Sequence, residues 1–179
     1  MGANKLSKIH NKLTLMQIED LDRLSEFQDI DLQRETSESK WSAIQVLNHL
    51  YMTEKGTINF LEKSLGKSDE LGKVNFKNRF RAYLLQRFLK SKRKAKAPSK
   101  LPDPKNDTSL EELKSKFDRL HSQHDEFLNK VPSNIFGKTV FKHPYIGWME
   151  INDVYRFMAN HWAHHRHQLE RIEKDLKNG

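Results

Sequence analysis

The chain of 179 residues contains no cysteine, and it has no apolar run approaching the roughly 18 residues that suggest a membrane-spanning helix. The lack of cysteine excludes disulfide-stabilised folds, thiolate metal sites and a nucleophilic or redox thiol of the protein itself. The first residues, MGANKLSKIHNKL, lack the apolar core of a signal peptide. We therefore expect a cytoplasmic protein with no membrane partner, in which any sulfur chemistry requires a thiol from outside the chain.

Acidic residues are absent from one stretch of the chain, residues 71 to 102. The formal net charge is +8, but this stretch holds eleven of the 32 Lys and Arg residues, so the remainder carries more acidic than basic residues. The eleven are Lys73, Lys77, Arg79, Arg81, Arg87, Lys90, Lys92, Arg93, Lys94, Lys96 and Lys100. The basicity is therefore local, and Pro98, Pro102 and Pro104 at its end favour an extended linker.

Apolar residues recur at helical spacing in five segments, and strand-like alternation is scarce. The predicted helices run from Leu6 to Phe27, from Trp41 to Leu65 with Gly66 as C-cap, around Phe76 to Phe88, from Leu110 to Val131 after a capping pattern at Thr108 or Ser109, and from Ile151 to Leu176. The stretch VPSNIFGKTVFKHPYIGWMEIN forms a long loop, in which KTVF is briefly extended. A hydrophobic fraction of 36% suits one domain over residues 1–179. The predicted fold is all-α, a four-helix bundle with an additional basic helix and a long loop before the last helix.

The predicted basic helix around Phe76 to Phe88 raises the question of whether the protein binds nucleic acid. Its aromatic residues Phe76, Phe80 and Phe88 have the spacing of a core-facing stripe, which predicts that the rings are buried and that the cations form a solvated outer face. Exposed rings that could stack on bases would then be absent. Nucleic acid is therefore not an expected partner.

Four of the nine histidines lie in the last predicted helix, within NHWAHHRHQLERIEKDL. At about 100° per residue, His161 and His165 fall in the same sector as the apolar residues, whereas His164 and His167 fall outside it. The apolar residues of that sector are Val154, Met158, Leu169, Ile172 and Leu176. We therefore expect two histidines, one helical turn apart, to face the core.

Two inward histidines at positions i and i+4 have the spacing that lets both imidazoles bind one metal ion. The alternative is a pair of neutral core histidines, each hydrogen-bonded to a carbonyl or carboxylate. A metal site needs a third ligand, and periodicity leaves both His49 and His124 open for it. His10, His121, His143 and the carboxylates are further candidates. Gln168 lies near the inward sector, where it either orients a ligand or marks the helix edge, and Arg166 has Glu170 at i+4 as a partner.

Several motifs resemble the DinB/YfiT-like superfamily. KWSAIQVLNHLYMTEKGTINFL is similar to its second-helix signature, in which a Trp-Ser start is followed eight residues later by a ligand histidine. HWAHHRHQL resembles the closing motif of the family, and LPDP and FGKTVFKHPYIGWMEIN are also similar to segments of its members. The resemblance implies a four-helix bundle, often a homodimer, with a divalent metal ion held by three histidines. These map onto His49, His161 and His165.

The resemblance also implies a choice of reactions on small-molecule substrates. Some family members resemble S-transferases or isomerases that use bacillithiol, mycothiol or glutathione, and others are described as metal-dependent hydrolases. Three neutral imidazoles leave an open coordination position on zinc, nickel or ferrous iron, and such an ion lowers the pKa of a thiol or of water. We favour the thiol-dependent transferase. The hydrolase, a non-enzymatic metal-binding protein and a nucleic-acid-binding protein are the alternatives.

Overall fold

The computed structural model of the chain describes residues 2–36, 41–91 and 104–178. Its helices are α1 (Gly2–Leu24), α2 (Asp29–Leu32), α3 (Ala43–Leu65), α4 (Phe76–Leu89), α5 (Leu110–Lys130) and α6 (Ile151–Asn178). Single turns of 3-10 helix lie at Ser68–Glu70 and Ser133–Ile135, and a hairpin of β1 (Phe141–His143) and β2 (Gly147–Met149) precedes α6. The all-α prediction is confirmed.

The four long helices form the bundle. Helix α1 packs against α5 and α6, and α3 packs against the same two helices, so α1 and α3 lie diagonally opposite each other. Leu and Ile side chains fill the centre, together with Phe117, Tyr155 and Trp162. Helix α4 lies outside the bundle against α6. This arrangement matches the predicted bundle with one additional basic helix, and it places the inward faces of α3 and α6 side by side.

Local sequence explains where the helices begin. Ser42 accepts a hydrogen bond from the backbone N–H of Gln45, whose side chain accepts one from the Ser42 N–H, so the start of α3 has a complete capping box. Ser109 caps α5 through the N–H of Glu112, as the capping pattern predicted. Gly66 caps the end of α3, also as predicted. These caps fix the ends of the two helices that carry His49 and His124.

Three short elements differ from the prediction. The first predicted helix ends at Leu24, so Phe27 lies beyond it, and the single-turn helix α2 follows. Residues 141–143 and 147–149 form an antiparallel hairpin, of which the predicted extended segment KTVF includes only Phe141. Strands of three residues are too short to produce a recognisable alternation. Residues 37–40 and 92–103, which include Pro98 and Pro102 of the predicted linker, lie outside the described residues.

The predicted orientation of the basic helix is wrong. Ala82, Gln86 and Leu89 form the buried side of α4, whereas Phe76, Phe80, Leu84 and Phe88 are exposed. The helix is apolar on two opposite sides, and periodicity could not tell which one faces the bundle. A small alanine and a hydrogen-bonding glutamine pack against α6, because the Gln86 side chain donates to the backbone carbonyl of Asp153.

None of the helices in the described ranges is both long and apolar enough to cross a membrane.

Candidate metal centre

Three histidine side chains from two neighbouring helices converge on one point. His49 lies on α3, and His161 and His165 lie one turn apart on α6. One ring nitrogen from each lies within 4.8 Å of those of the other two, and the Nε2 atoms of His49 and His161 are 3.3 Å apart. The structure thus brings together the three residues that the family resemblance implied, and we call them the triad.

The nitrogen separations suit a divalent ion. A tetrahedral ion about 2.0–2.1 Å from each imidazole nitrogen holds neighbouring nitrogens about 3.3–3.4 Å apart. The separation between His49 and His161 already has this value, and the other nitrogens need to approach by at most about 1.5 Å. Among the described residues no carboxylate belongs to the group. A donor set of three imidazoles suits zinc, nickel or ferrous iron, so the triad can hold such an ion.

The protonation state of the triad also suits metal binding. Burial lowers the pKa of His49, and burial together with the neighbouring histidines lowers the pKa of His161 well below its usual value. Burial, assisted by His49, lowers the pKa of His165 to about 3. All three rings are therefore neutral near pH 7, the form in which imidazole binds a metal ion. Desolvation without a neighbouring acid keeps the triad uncharged.

Gln168 orients one member of the triad. Its Oε1 atom lies 2.9 Å from Nδ1 of His165 and, as an amide oxygen, accepts the proton of that nitrogen. The hydrogen bond places the proton on Nδ1 and leaves the lone pair of Nε2 available to a ligand. Of the two roles open to Gln168 from its sequence position, the structure shows the orienting one.

Aromatic rings surround the triad without closing it. Phe157 stacks on His161 with ring centroids 5.4 Å apart, and the centroid of Trp41 lies 5.3 Å from that of His49. The three histidines are only half-buried, so solvent or a small molecule reaches them. Two aromatic rings therefore line the site, which is not fully closed to solvent.

His124, the rival third ligand, lies in a different part of the bundle core. Its Nε2 atom is 3.2 Å from Oε1 of Glu54, and its Nδ1 atom is 3.0 Å from the hydroxyl of Tyr155. Burial raises the pKa of Tyr155 well above its usual value, so the hydroxyl keeps its proton at neutral pH and forms a hydrogen bond with Nδ1 of His124. Periodicity left both His49 and His124 open as the third ligand, and among the described residues the structure groups His49 with His161 and His165.

The partners of His124 belong to a chain of buried and half-buried polar side chains. His121 donates to Oε1 of Gln17 at 2.8 Å, and the amide group of Gln17 donates to Oε2 of Glu54 at 2.7 Å. We call these five residues the polar network: Gln17, Glu54, His121, His124 and Tyr155. It connects all four helices of the bundle. His10 packs beside it, 5.1 Å from His124 between ring centroids.

Three further polar residues of α6 near the triad, His164, Arg166 and His167, have structural partners. Nδ1 of His164 lies 3.1 Å from the carbonyl oxygen of Leu89 and donates to it, which attaches α6 to α4. His167 is exposed, as predicted, and lies 3.1 Å from Glu170. Arg166 is 3.8 Å from Glu170, but it lies closer to Asp20 and Glu19 of α1, at 2.9 and 3.0 Å. The prediction that Arg166 pairs simply with Glu170 therefore missed its main contacts.

Sequence reasoning missed two features of the centre. Phe157 stacks on His161 from the preceding turn of α6, and its i, i+4 spacing could have indicated this contact. The role of Trp41 as a wall beside His49 depends on how the chain enters α3, which periodicity does not describe.

Comparison with known proteins supports the same family. No curated protein and no solved structure matches the chain. The family model described as "DinB superfamily" matches residues 15–169, which include all three members of the triad. The helical bundle and the histidine cluster fit a metal-binding protein of this family. The chain belongs to the DinB superfamily.

Proposed function

We propose that the protein is a metal-dependent enzyme in which His49, His161 and His165 hold one divalent ion and which transfers a low-molecular-weight thiol to an electrophilic small molecule. The ion, zinc, nickel or ferrous iron, supplies a positive charge that lowers the pKa of the thiol. The chain contains no cysteine, so the thiol is a cosubstrate such as bacillithiol or glutathione. Family membership supports this class of reaction.

The protein's own residues have positioning roles in this proposal. Gln168 keeps the proton of His165 on Nδ1, so that Nε2 faces the ion. Phe157 and Trp41 hold two of the rings and reduce the access of water from their side. The triad is not fully buried, and in this proposal the thiol and its acceptor reach it from solvent.

The observation that carries the proposal is the convergence of the triad without an acidic partner. Nε2 of His49 lies 3.3 Å from Nε2 of His161, and the titratable groups that influence the pKa of His161 are all other histidines. A purely structural histidine normally lies beside a carboxylate, a carbonyl or a hydroxyl, as His124 does: its Nδ1 is hydrogen-bonded to the Tyr155 hydroxyl, and its Nε2 lies 3.2 Å from Glu54. Three neutral imidazoles directed at one another are instead a set of ligands for a cation.

A thiol-conjugation assay tests the transferase. The parent protein is loaded separately with Zn²⁺, Ni²⁺ or Fe²⁺ and mixed with glutathione or bacillithiol and an activated aryl halide. Thioether formation should require protein, thiol and metal together, and His161→Ala should reduce it at least about a hundredfold because one ligand is lost. His167→Ala, which changes an exposed histidine of the same helix, is the matched control and should retain the parent rate. Equal rates for parent and His161→Ala would overturn the proposal.

Hydrolysis by the same site is the second candidate, and the solvent-accessible triad favours it. Its test omits the thiol and supplies an activated ester or amide. Hydrolysis that continues without thiol and stops on chelation would assign the protein as a hydrolase. Metal binding without turnover in either assay would assign it as a non-enzymatic metal-binding protein.

We further propose that residues 1–179 form a single domain of this family and that it assembles as a homodimer. The family match over residues 15–169 and the continuous core of the bundle support the single domain. Sedimentation velocity tests the dimer, because one species of twice the chain mass of 21.2 kDa is expected.

A further inference from the structure

The outward side of α4 carries large apolar side chains in contact with solvent. Phe76 is 81% exposed, Tyr83 54% and Phe80 51%, and Leu84 and Phe88 are also exposed. The opposite side of the same helix is buried through Ala82, Gln86 and Leu89. Packing of α4 against the bundle therefore does not explain the outward rings. Exposed aromatic residues grouped on one face mark an interaction surface.

The same face is positively charged throughout. At about 100° per residue, Arg87 falls about 20° from Phe76, between Tyr83 and Phe80, and Lys77 and Arg81 lie within the same exposed arc. We call this surface the aromatic-basic face: Phe76, Lys77, Phe80, Arg81, Tyr83, Leu84, Arg87 and Phe88. Within the described residues, no carboxylate lies within 4.0 Å of Lys77, Arg81 or Arg87. The sequence from residue 71 to 102 contains no Asp or Glu.

The positive charge of the aromatic-basic face indicates which kind of partner it can bind. A second copy of the chain that docked through the same face would bring two unneutralised groups of cations together, which is unfavourable. A lipid surface is contacted by a continuous apolar stripe with its cations at the borders. Here Arg87 lies inside the stripe and, at 3.4 Å, donates a hydrogen bond to the Tyr83 hydroxyl. Cations interleaved with aromatic rings suit a partner that presents phosphates and flat bases together.

The rings also have a geometry that bases can use. Phe76 and Phe80 are nearly parallel, with an interplanar angle of 13° and centroids 6.4 Å apart. Both rings are exposed and nearly parallel, so they offer flat apolar faces on which bases can stack. We propose that the aromatic-basic face binds single-stranded nucleic acid, by stacking bases on its phenylalanines and pairing phosphates with Lys77, Arg81 and Arg87. This replaces the expectation from sequence, whose premise was that these rings are buried.

Fluorescence anisotropy with labelled oligothymidylate and oligouridylate tests the proposal on the full chain and distinguishes DNA from RNA. We expect binding to at least one of the two, and the affinity should fall steeply as salt is raised. Phe76→Ala/Phe80→Ala should weaken it at least about tenfold, because stacking contributes about 1–3 kcal/mol per base and 1.4 kcal/mol corresponds to tenfold. Lys77→Glu/Arg87→Glu should weaken binding and flatten its salt dependence.

Matched variants elsewhere on the chain control for general effects. Leu15→Ala removes an apolar side chain that is 60% exposed on α1, and Lys8→Glu/Lys12→Glu changes the net charge as much as the double reversal on α4. Both should bind as the parent does. A duplex of equal length should bind more weakly and be insensitive to the phenylalanine changes, since its bases are already stacked. Circular dichroism should show the same helix content in every variant, because all the altered residues are exposed.

Four results would overturn the proposal. They are no binding of either single strand at low salt, equal weakening by the α1 and α4 charge variants, parent-like binding by Phe76→Ala/Phe80→Ala, and a self-association that this double variant abolishes. Pelleting with anionic vesicles that depends on the same phenylalanines, without oligonucleotide binding, would assign the face to a lipid surface instead.

Discussion

The two histidine groups of the bundle differ in the chemical groups that lie next to their ring nitrogens. In the polar network, His124 has a carboxylate on one side and a hydroxyl on the other, and His121 donates to an amide oxygen. In the triad, Nε2 of His49 meets Nε2 of His161. Burial alone therefore does not distinguish a structural histidine from a metal ligand. The partner of each nitrogen does, and the triad lacks the acids that the polar network contains.

The largest expected effect is on metal retention. His49→Ala, His161→Ala or His165→Ala should each reduce bound metal at least about a hundredfold, because two imidazoles in an apolar setting hold a divalent ion poorly. His124→Ala should retain it. Elemental analysis after purification in metal-supplemented medium measures this. If His124→Ala loses the metal and His49→Ala retains it, His124 and not His49 is the third ligand, and our assignment of the two groups is wrong.

Changes in the polar network should lower the stability of the fold and leave metal binding unchanged. Glu54→Ala removes the acceptor of the Gln17 amide and the carboxylate beside Nε2 of His124, and it should cost about 1–3 kcal/mol of unfolding free energy, with metal content unchanged. Glu54→Gln keeps one acceptor oxygen and should cost less. Urea denaturation of the metal-free proteins measures both values. A loss of metal by Glu54→Ala at a concentration of urea where it remains folded would show that the groups are coupled.

The pH dependence of stability tests the core beside the polar network. Burial, together with the neighbouring His124, lowers the pKa of His10 from its usual 6.5 to about 4. Between these values the unfolded chain binds a proton that the folded chain does not, so the unfolding free energy falls as the pH falls from about 6.5 to 4. For His10 alone the loss is at most about 3 kcal/mol.

The comparison for this prediction is His10→Gln, which removes the titrating group. Chemical denaturation of the metal-free protein at several pH values should give a flatter profile for the variant than for the parent. An unchanged slope would show that His10 does not titrate as its burial requires.

The smallest effect is expected at Gln168, which contacts a member of the triad through Nδ1. Gln168→Ala should weaken metal binding about tenfold, because loss of a hydrogen bond to a ligand histidine commonly costs about 10–100-fold in affinity. Gln168→Glu, which keeps an acceptor oxygen, should restore most of the affinity. Competition with a chromogenic chelator measures both. Affinity equal to that of the parent in Gln168→Ala would reduce Gln168 to a helix-edge residue.

The sequence was enough to predict features that depend on a single helix, such as which residues face inward. It was not enough to predict features that depend on how two helices pack together. His161 and His165 are inward because of their position on α6, and their spacing was enough to show it. His49 could not be separated from His124 by periodicity, since both lie on inward arcs and the choice depends on how α3 and α5 pack against α6. Only the motif resemblance selected His49. The orientation of α4 was wrong for a related reason, because a helix with two apolar sides does not indicate which side is covered.

The central claim is that the triad binds a divalent ion, and X-ray absorption at the edge of the retained metal tests it most directly. We expect three imidazole nitrogens at about 2.0–2.1 Å if the metal is zinc, with one or more oxygen ligands from solvent. The spectrum should be the same in His124→Ala. A first shell with fewer than three imidazoles in the parent protein, or one that changes in His124→Ala, would contradict it.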